Sequence, residues 1–585
     1  MQPAVTTPKS IENVRLELTA QRKAILAHPA EKALEMILEA STPAALVHSF
    51  PAADLYYLIH EIGPDDALPL IGLASQSQLE FLLDQETWDR DRIDLKSLTL
   101  WLERFVQADP ERLLRWMGTE KLDLIEFYLS RTLDVKFREH DADPSDFGSD
   151  FFTLDNVLYV RILDHPAPDA AEPDFQARHR DLVRQILDTL AANDYVRYQN
   201  LLFGAAYALP SVGEEKAYRW RNVRLAEKGF IPFEEAIGIY QPTRPERLHQ
   251  EIARRRPLAE SPDTQLPMVP LQLIPTDHLF SLALQAIPPG EAVEYLQLEF
   301  ATLCNRVAVA DRKRIDGREA LGAVVRKVCG YVAMGIEKVA RPGEATSTDE
   351  ISASEAGGTV RTITLEGLFR LGYSEAVRLK NAAERWVAAS WFARQGLPLT
   401  FWGETWLGVL GGLLLKRPLC FDNYRSGTLY RDFAALNDIR QCEHHLSQIV
   451  GFDRLLDAMA IKLAPRPRIG LLTYKNLLLT LWARHRLGLA NEVQPIPLKT
   501  FAPFFEALFG PPVASAAPKI PHDLRRVFLE WLAQSSQRSP AALSDEIGGG
   551  LENLFCELEE EYARLARPSL DPRYIPHFLL CRDSA

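Results

Sequence analysis

Apolar residues recur every twelve positions between Pro43 and Leu83, and this period constrains the fold more than any other feature of the sequence. Helix breakers or capping residues follow the apolar groups, so each repeat has room for a helix of about two turns. Helices this short are unstable alone, because nucleation costs more free energy than a few hydrogen bonds return. The four series are Leu46, Leu58, Leu70 and Leu82; Val47, Ile59, Ile71 and Leu83; Leu55, Ala67 and Leu79; and Phe50, Ile62 and Ala74.

Short helices persist when each one stacks on its neighbours, as in superhelical repeat proteins. We therefore predict a superhelical domain of short helices over residues 41–149. An N-terminal helix and lead-in over residues 1–40 precede it.

Residues 150–163 (DFFTLDNVLYVRIL) have a strand-like pattern instead. They are rich in aromatic and β-branched side chains, and Asp155 and Asn156 at the centre suit a two-residue turn. The segment predicts a β-hairpin. Because a lone hairpin is only marginally stable in water, it should pair with another strand, and Thr359–Leu365 (TVRTITL) is the predicted partner.

Helical periodicity dominates the remainder of the chain, and two segments divide it. Residues 241–275 are dense in proline, which predicts an extended connector, and residues 341–358 are small and polar, which predicts a flexible loop. Helical units are predicted over residues 175–240, 276–340 and 359–585. The predicted fold class is mainly α, with an N-terminal superhelix, helical bundle units and one small β-hairpin.

The charge, the cysteines and the apolar stretches of the sequence indicate which partners and which cellular compartment to expect. The 585 residues include 79 acidic and 66 basic ones, a net charge of −13, which argues against a nucleic-acid partner. The six cysteines are scattered without a C-x-x-C pair, as is typical of reduced thiols in the cytoplasm. The most apolar stretch, Thr405–Leu415, is shorter than the roughly 20 residues of a membrane-spanning helix and predicts a core helix. We expect a cytoplasmic protein with no membrane span.

Residues 217–236 (AYRWRNVRLAEKGFIPFEEA) carry the first candidate binding site. Arg221 and Arg224 share one helical face, which is compatible with a clamp for a carboxylate or phosphate, with Glu234 and Glu235 nearby. The alternative is a helical hairpin in which the two arginines pair with those two glutamates. The side chains predicted to form an apolar face are Tyr218, Trp220, Val223 and Leu225.

A second candidate site consists of Asp438, Cys442 and His445, spaced i, i+4, i+7 along one predicted helix. A carboxylate, a thiolate and an imidazole on one face are suitable ligands for zinc or iron, given a fourth ligand from elsewhere. The alternative is a half-buried polar face. The sequence has no nucleotide-binding, hydrolase or metalloprotease motif, and we predict no cofactor.

A third candidate is an acidic surface on the short-helix region. Clustered carboxylates bind hard cations weakly, or they solvate and cap helices. The carboxylates concerned are Asp54, Glu61, Asp65, Asp66, Glu80, Asp84 and Glu86.

Part of the short-helix pattern resembles a known regulatory module. Val47-x-x-Phe50-Pro51 and residues 58–67 (LIHEIGPDDA) are similar to the superhelical N-terminal domain of MgtE-type magnesium transporters, which is related to the helical repeats of the flagellar motor switch protein. The resemblance implies a regulatory or docking superhelix, and it does not imply transport.

The whole chain resembles an uncharacterised bacterial family that is known only as a domain of unknown function. That resemblance implies no catalytic residues. The segments that carry it are residues 55–62 (LYYLIHEI), 151–155 (FFTLD), 218–222 (YRWRN), 229–236 (GFIPFEEA) and 365–369 (LEGLF).

These observations favour a helical-repeat protein that acts as a protein-interaction or regulatory scaffold, with a protein as its partner. Two alternatives stay open. One is an enzyme of unknown class with a pocket between helical units, and the other is a regulator that responds to divalent cations.

Overall fold

A computed structural model shows that the chain is mainly α, as predicted. The residues it describes are 8–111, 116, 122–139, 143, 147–167, 172–207, 210–228, 230–251, 267–288, 290–341, 351–461, 463, 472–509, 518–565 and 570–582.

The first half of the chain alternates short helices with a few short strands. Its elements are α1 (Pro8–Leu26), α2 (Ala30–Leu38), α3 (Pro43–Ser49), α4 (Ala52–Ile62), α5 (Leu68–Leu73), α6 (Gln76–Glu86), β1 (Trp88–Asp89), β2 (Arg92–Ile93), α7 (Leu95–Ala108), α8 (Leu122–Thr132), β3 (Leu133–Phe137), β4 (Phe152–Thr153), β5 (Leu158–Ile162), α9 (Pro173–Asn193), α10 (Tyr195–Tyr207), α11 (Pro210–Glu227), α12 (Phe233–Ala236), α13 (Pro245–Glu251), α14 (Val269–Gln272) and α15 (Leu279–Gln285).

Longer helices dominate the second half. Its elements are α16 (Glu291–Ala310), α17 (Arg318–Ala340), α18 (Ala353–Thr362), α19 (Leu365–Ala389), α20 (Trp391–Arg394), α21 (Gly403–Leu413), β6 (Cys420–Phe421), β7 (Tyr430–Arg431), α22 (Leu436–Ala458), α23 (Tyr474–Arg486), β8 (Ile496–Pro497), α24 (Leu498–Leu508), α25 (His522–Ser536), α26 (Pro540–Tyr562) and β9 (Leu580–Cys581). Turns of 3₁₀ helix lie at Ile237–Tyr240, Leu399–Trp402 and Pro572–Tyr574.

The chain forms two compact units. Unit 1 comprises Met1–Gln241, Leu248–Cys329 and Ser347–Gly367. Unit 2 comprises Pro242–Arg247, Gly330–Thr346 and Leu368–Ala585.

The twelve-residue series of the sequence form the core of the short helices in unit 1. Every member of the four series is buried except Ile62, which is half-buried. Each helix packs on the one two places further along the chain: α2 on α4, α3 on α5, α4 on α6 and α5 on α7. The prediction of short helices with buried faces is confirmed, and their arrangement as a superhelix stays a prediction.

The predicted hairpin is present, but its partner strand is not the predicted one. In the three-stranded antiparallel sheet the order is β3-β5-β4, so Leu133–Phe137 is the third strand. The last paired residues are Thr153 and Tyr159, so the connection is longer than the predicted two-residue turn. Within it Asn156 adopts a positive φ of 57°, and the Asp155 carboxylate accepts from the amides of Val157 and Leu158. The prediction of a strand at Thr359–Leu365 is therefore wrong.

Thr359–Thr362 belongs to helix α18, because local helix signals outweigh the β-branched residues there. Ser352 accepts from the amide of Glu355 and caps the helix, and Ala356 and Val360 are buried at helical spacing. Residues 353–358 of the predicted flexible loop are therefore helical, and residues 342–350 lie outside the described residues.

The proline-rich segment 241–275 contains two short helices, α13 and α14. Its residues 252–266 lie outside the described part of the chain.

The apolar stretch Thr405–Leu415 corresponds to α21, a buried helix, as predicted. Its glycines permit close packing: a Cβ at Gly408 would meet the Phe421 ring, and one at Gly412 would meet the Leu419 carbonyl. Within the described part of the chain, no helix has the length and apolar character needed to cross a membrane.

Candidate functional site

The last turn of α6 in unit 1 carries two buried carboxylates, Asp84 and Glu86, each only 4% exposed. A helix C-terminus has a negative partial charge, and burial also disfavours ionised groups, so both carboxylates need positive or hydrogen-bonding partners. Those partners determine how the neighbouring helices are oriented.

Asp84 is the partner of both arginines that the sequence singled out. The Arg224 guanidinium donates two parallel hydrogen bonds to the Asp84 carboxylate, with Nε–Oδ2 and Nη2–Oδ1 distances of 2.8 and 2.7 Å. Arg221 Nε donates to the Asp84 backbone carbonyl at 2.7 Å, and its guanidinium lies 5.4 Å from the centre of the Trp88 ring. Both arginines therefore engage Asp84 of the same chain, and not Glu234 or Glu235.

Glu234 and Glu235, the other residues of this candidate site, are exposed in the first turn of α12. The backbone carbonyl of Glu235 accepts a hydrogen bond from Arg306 at 3.3 Å. Sequence reasoning overlooked Asp84 as the arginine partner, because the acid lies more than a hundred positions earlier in the chain.

The inward direction of the arginines turns Trp220 and Val223 of α11 toward solvent. Trp220 is 57% exposed and Val223 is 50% exposed, whereas Leu225 is buried. Tyr218 packs against Trp88, with ring centres 5.7 Å apart. The apolar face predicted for α11 is thus divided. Tyr218 and Leu225 pack against other residues, whereas Trp220, the largest side chain of the set, is exposed to solvent.

A surface depression of about 420 Å³ lies along this outward face of α11. We call it the Trp220 face. The residues that line it are Glu215, Lys216, Arg219, Trp220 and Val223.

Helix α10 carries a second exposed apolar surface. Val196 is 67% exposed and Tyr207 is 73% exposed, and both share one side of the helix with Phe203. The Phe203 and Tyr207 rings pack on Phe137 of β3, with ring centres 4.6 and 5.7 Å away. Both α10 and α11 pack on α8.

Glu86 is the centre of a buried polar cluster. Its Oε1 accepts from the Tyr56 hydroxyl at 2.6 Å and lies 3.2 Å from His60 Nε2, while Oε2 accepts from Trp101 Nε1 at 3.3 Å and from Arg314. Burial raises the pKa of this carboxyl, but the neighbouring His60, the hydrogen bond from Tyr56 and the Arg314 charge outweigh the effect of burial. The pKa of Glu86 falls to about 2.

The predicted acidic surface is wrong for three of its seven members, because Asp54, Asp84 and Glu86 are buried. The Asp54 carboxylate accepts from the amides of Met268 and Val269, at 2.8 and 3.2 Å, and burial raises its pKa to about 7. Hydrogen bonds within unit 1 thus satisfy three carboxylates that the sequence pattern predicts to be exposed to solvent.

In unit 2, both carboxylate oxygens of Asp438 accept from Arg431, at 2.7 and 2.8 Å, and Oδ2 also accepts from the Ala434 amide. Cys442 is buried, and the Cys420 thiol donates to the Phe421 carbonyl at 3.9 Å. His445 is half-buried, and burial lowers its pKa. Among the described residues, no group of three or more His, Cys, Asp or Glu side chains is placed to hold a metal ion.

We predict that Asp84→Asn lowers the free energy of unfolding of unit 1 by about 2 to 3 kcal/mol, because it removes the charge that faces Arg224 in a largely buried pair. Urea unfolding of the full chain, followed by circular dichroism, measures this loss. The control is Glu215→Gln, which removes an exposed pair with Arg219 on the same helix and should cost less than about 0.5 kcal/mol. Equal losses in the two variants would contradict the anchoring role of Asp84.

We predict that Glu86→Gln destabilises the protein at neutral pH and has progressively less effect in acid. The carboxyl has a folded pKa of about 2 against an ordinary value of 4.5, so its stabilisation is complete above about pH 4.5 and is lost as the pH falls toward 2. Urea midpoints of parent and variant, measured across this interval, test the prediction. A difference between the two that stays constant with pH would refute it.

Neither the curated proteins nor the solved structures include a match to the chain. A family model does match it, over residues 10–581, and its description is a family of unknown function, DUF6178. The match spans nearly the whole chain, which therefore belongs to the DUF6178 family.

Proposed function

We propose that this protein is a cytoplasmic interaction scaffold and that the Trp220 face of α11 is a docking surface for a partner protein. The occupant that we propose is an amphipathic helix of that partner, with its apolar side against Trp220 and Val223. The observation that carries the proposal is the orientation of α11, with its arginines directed inward and its tryptophan directed outward.

An outward tryptophan forgoes the stabilisation of about 1.5 to 3 kcal/mol that burial of a large apolar side chain provides. Tryptophan is also enriched among the residues that dominate protein–protein binding energies. The apolar pair has a polar border, because Arg219 donates to Glu215 at 2.5 Å one turn away. An apolar centre with a charged rim is the usual composition of a protein interface.

Hydrogen bonds to α6 and to the Ile93 amide position helix α11, which favours binding at the Trp220 face. Asp84 fixes α11 through Arg221 and Arg224, and the Glu214 carboxylate accepts from the Ile93 amide at 2.8 Å. A surface that is already ordered loses less conformational entropy when a partner binds. The aromatic surface of α10 offers a second contact area within unit 1.

The alternatives have less support. An enzyme site at Arg221 and Arg224 would require these side chains to converge on a pocket. Both of them instead bind Asp84. A cation-responsive regulator required an acidic surface that includes Asp54, Asp84 and Glu86, which are buried. The scattered, unpaired cysteines support the cytoplasmic part of the proposal.

We predict that Trp220→Ala weakens partner binding by roughly thirtyfold, which corresponds to a loss of about 2 kcal/mol at a binding hot spot. Quantitative affinity purification from the native host, with a photo-crosslinking residue at position 223, identifies the partner that contacts the Trp220 face. Binding of the purified partner by parent and variant then gives the two affinities.

The matched control is Tyr574→Ala, which removes another exposed aromatic side chain, 70% exposed in unit 2. Circular dichroism should show unchanged folding for both variants, because neither side chain is buried. The proposal is overturned if position 223 crosslinks to no protein, or if Trp220→Ala and Tyr574→Ala retain the same partners with the same affinity.

A further inference from the structure

Strand β3 lies at an edge of the three-stranded sheet in unit 1, and β5 is its one neighbour among the described strands. The Leu163 amide donates to the Thr132 carbonyl, and the Arg138 amide donates to the Val157 carbonyl. The even-numbered residues of β3 therefore form the hydrogen bonds to β5. The odd-numbered residues direct their backbone groups to the other side, and they are Leu133, Val135 and Phe137.

The outward row of backbone groups on β3 offers hydrogen bonds to another strand. In the part of the chain that the structure describes, neither the N–H nor the C=O of Val135 or Phe137 has a hydrogen-bond partner. An unpaired row of this kind is a template for the backbone of an added strand. The occupant must be extended, because the backbone groups of a helix are already paired with one another.

The side chains of β3 indicate that the added strand is a second copy of β3. When two copies lie antiparallel with Val135 opposite Val135, Asp134 of each copy lies opposite Lys136 of the other. Leu133 then lies opposite Phe137, so every charged residue faces its opposite and every apolar residue faces an apolar one. Pairs of both kinds stabilise neighbouring strands.

The charges also select this register over its neighbours. A register that keeps the outward backbone groups paired differs from it by a shift of two residues. Such a shift places Asp134 opposite Asp134 in one direction and Lys136 opposite Lys136 in the other. Like charges that lie directly opposite each other are destabilising, above all at the closely spaced positions without hydrogen bonds. The centred register is therefore the favoured one.

Both charged side chains of β3 are positioned within unit 1 and remain accessible. Arg161 Nη2 donates to Asp134 Oδ2 at 2.6 Å, and the Asp134 side chain is 31% exposed. Lys136 is exposed, and its Nζ lies 4.4 Å from the centre of the Phe151 ring. In the paired strands Asp134 would thus lie between Arg161 of its own copy and Lys136 of the second copy.

The aromatic surface of α10 adds apolar area next to the strand pair. The two-fold axis that relates antiparallel neighbours is perpendicular to the sheet, so α10 of both copies lies on the same side of the joined sheet. Phe203 and Tyr207 pack on Phe137 from α10, and both are exposed. Two five-residue strands alone bury less than the roughly 1,000 Å² that a stable interface needs, and these rings supply further area.

We propose that the protein forms a symmetric homodimer in which the two copies of β3 pair antiparallel. The two three-stranded sheets then join into one sheet of six strands. The contact uses none of the residues that line the Trp220 face, so the dimer and the docking of a partner protein are separate proposals.

Sedimentation of the full chain at concentrations from about 1 to 100 µM tests for the dimer, because this range covers the affinity of a modest interface. We expect the measured mass to rise from that of one chain to that of two as the concentration increases. A mass of one chain throughout the range would overturn the proposal.

We predict that Lys136→Glu weakens the dimer at least about tenfold, because two attractive pairs with Asp134 become repulsive. Lys416→Glu is the matched control, since it makes the same charge change at an exposed position in unit 2 and should leave the affinity unchanged. Val135→Pro removes an outward N–H that does not bond to β5, so it should abolish the dimer and leave the circular dichroism of the chain unchanged. Equal affinities for Lys136→Glu and Lys416→Glu would refute the paired strands.

A charge exchange between two chains tests the register itself. Asp134→Lys and Lys136→Glu each place like charges opposite each other in a homodimer, whereas a heterodimer of the two variants has opposite charges at both positions. Native mass spectrometry of the mixed variants, with one chain labelled by a heavy isotope, should therefore show the heterodimer in excess over both homodimers. A statistical mixture of the three dimers would overturn the β3 contact, whatever the outcome at Trp220.

Discussion

Burial of two carboxylates in the last turn of α6 is the constraint on which much of unit 1 depends. Asp84 and Glu86 lie where both the helix dipole and the loss of water disfavour a negative charge. Their partners come from α4, α7, α11 and the segment before α17. Because each carboxylate must be satisfied, this one helical turn fixes the positions of several elements at once.

The orientation of α11 follows from that constraint. Apolar burial alone would place Trp220 inside and the arginines in water, but the bidentate bond from Arg224 to Asp84 holds the helix with its charges inward. Removing a buried partner is far more costly than exposing part of an apolar ring. The electrostatic requirement therefore explains how a folded unit presents a tryptophan to solvent, and a partner protein would gain from covering it.

A similar principle operates in unit 2, where Arg431 donates to both Asp422 and Asp438. In both units an arginine joins elements that are separate in the fold. Around Asp84 the result is an exposed apolar face. Around Arg431 the result is a β6–β7 hairpin that is held against helix α22.

The sequence by itself determined the local structure. The twelve-residue period predicted the short helices from Leu46 to Leu83, and Asp155 with Asn156 predicted the hairpin turn, because capping, turn formation and helical periodicity depend on residues only a few positions apart. Thr359–Leu365 was misread, since a cap at Ser352 outweighed β-branched composition. Only the tertiary structure decided that Arg224 meets Asp84 and that Arg314 meets Glu86, because such pairings depend on how distant segments pack and leave no regular spacing in the chain.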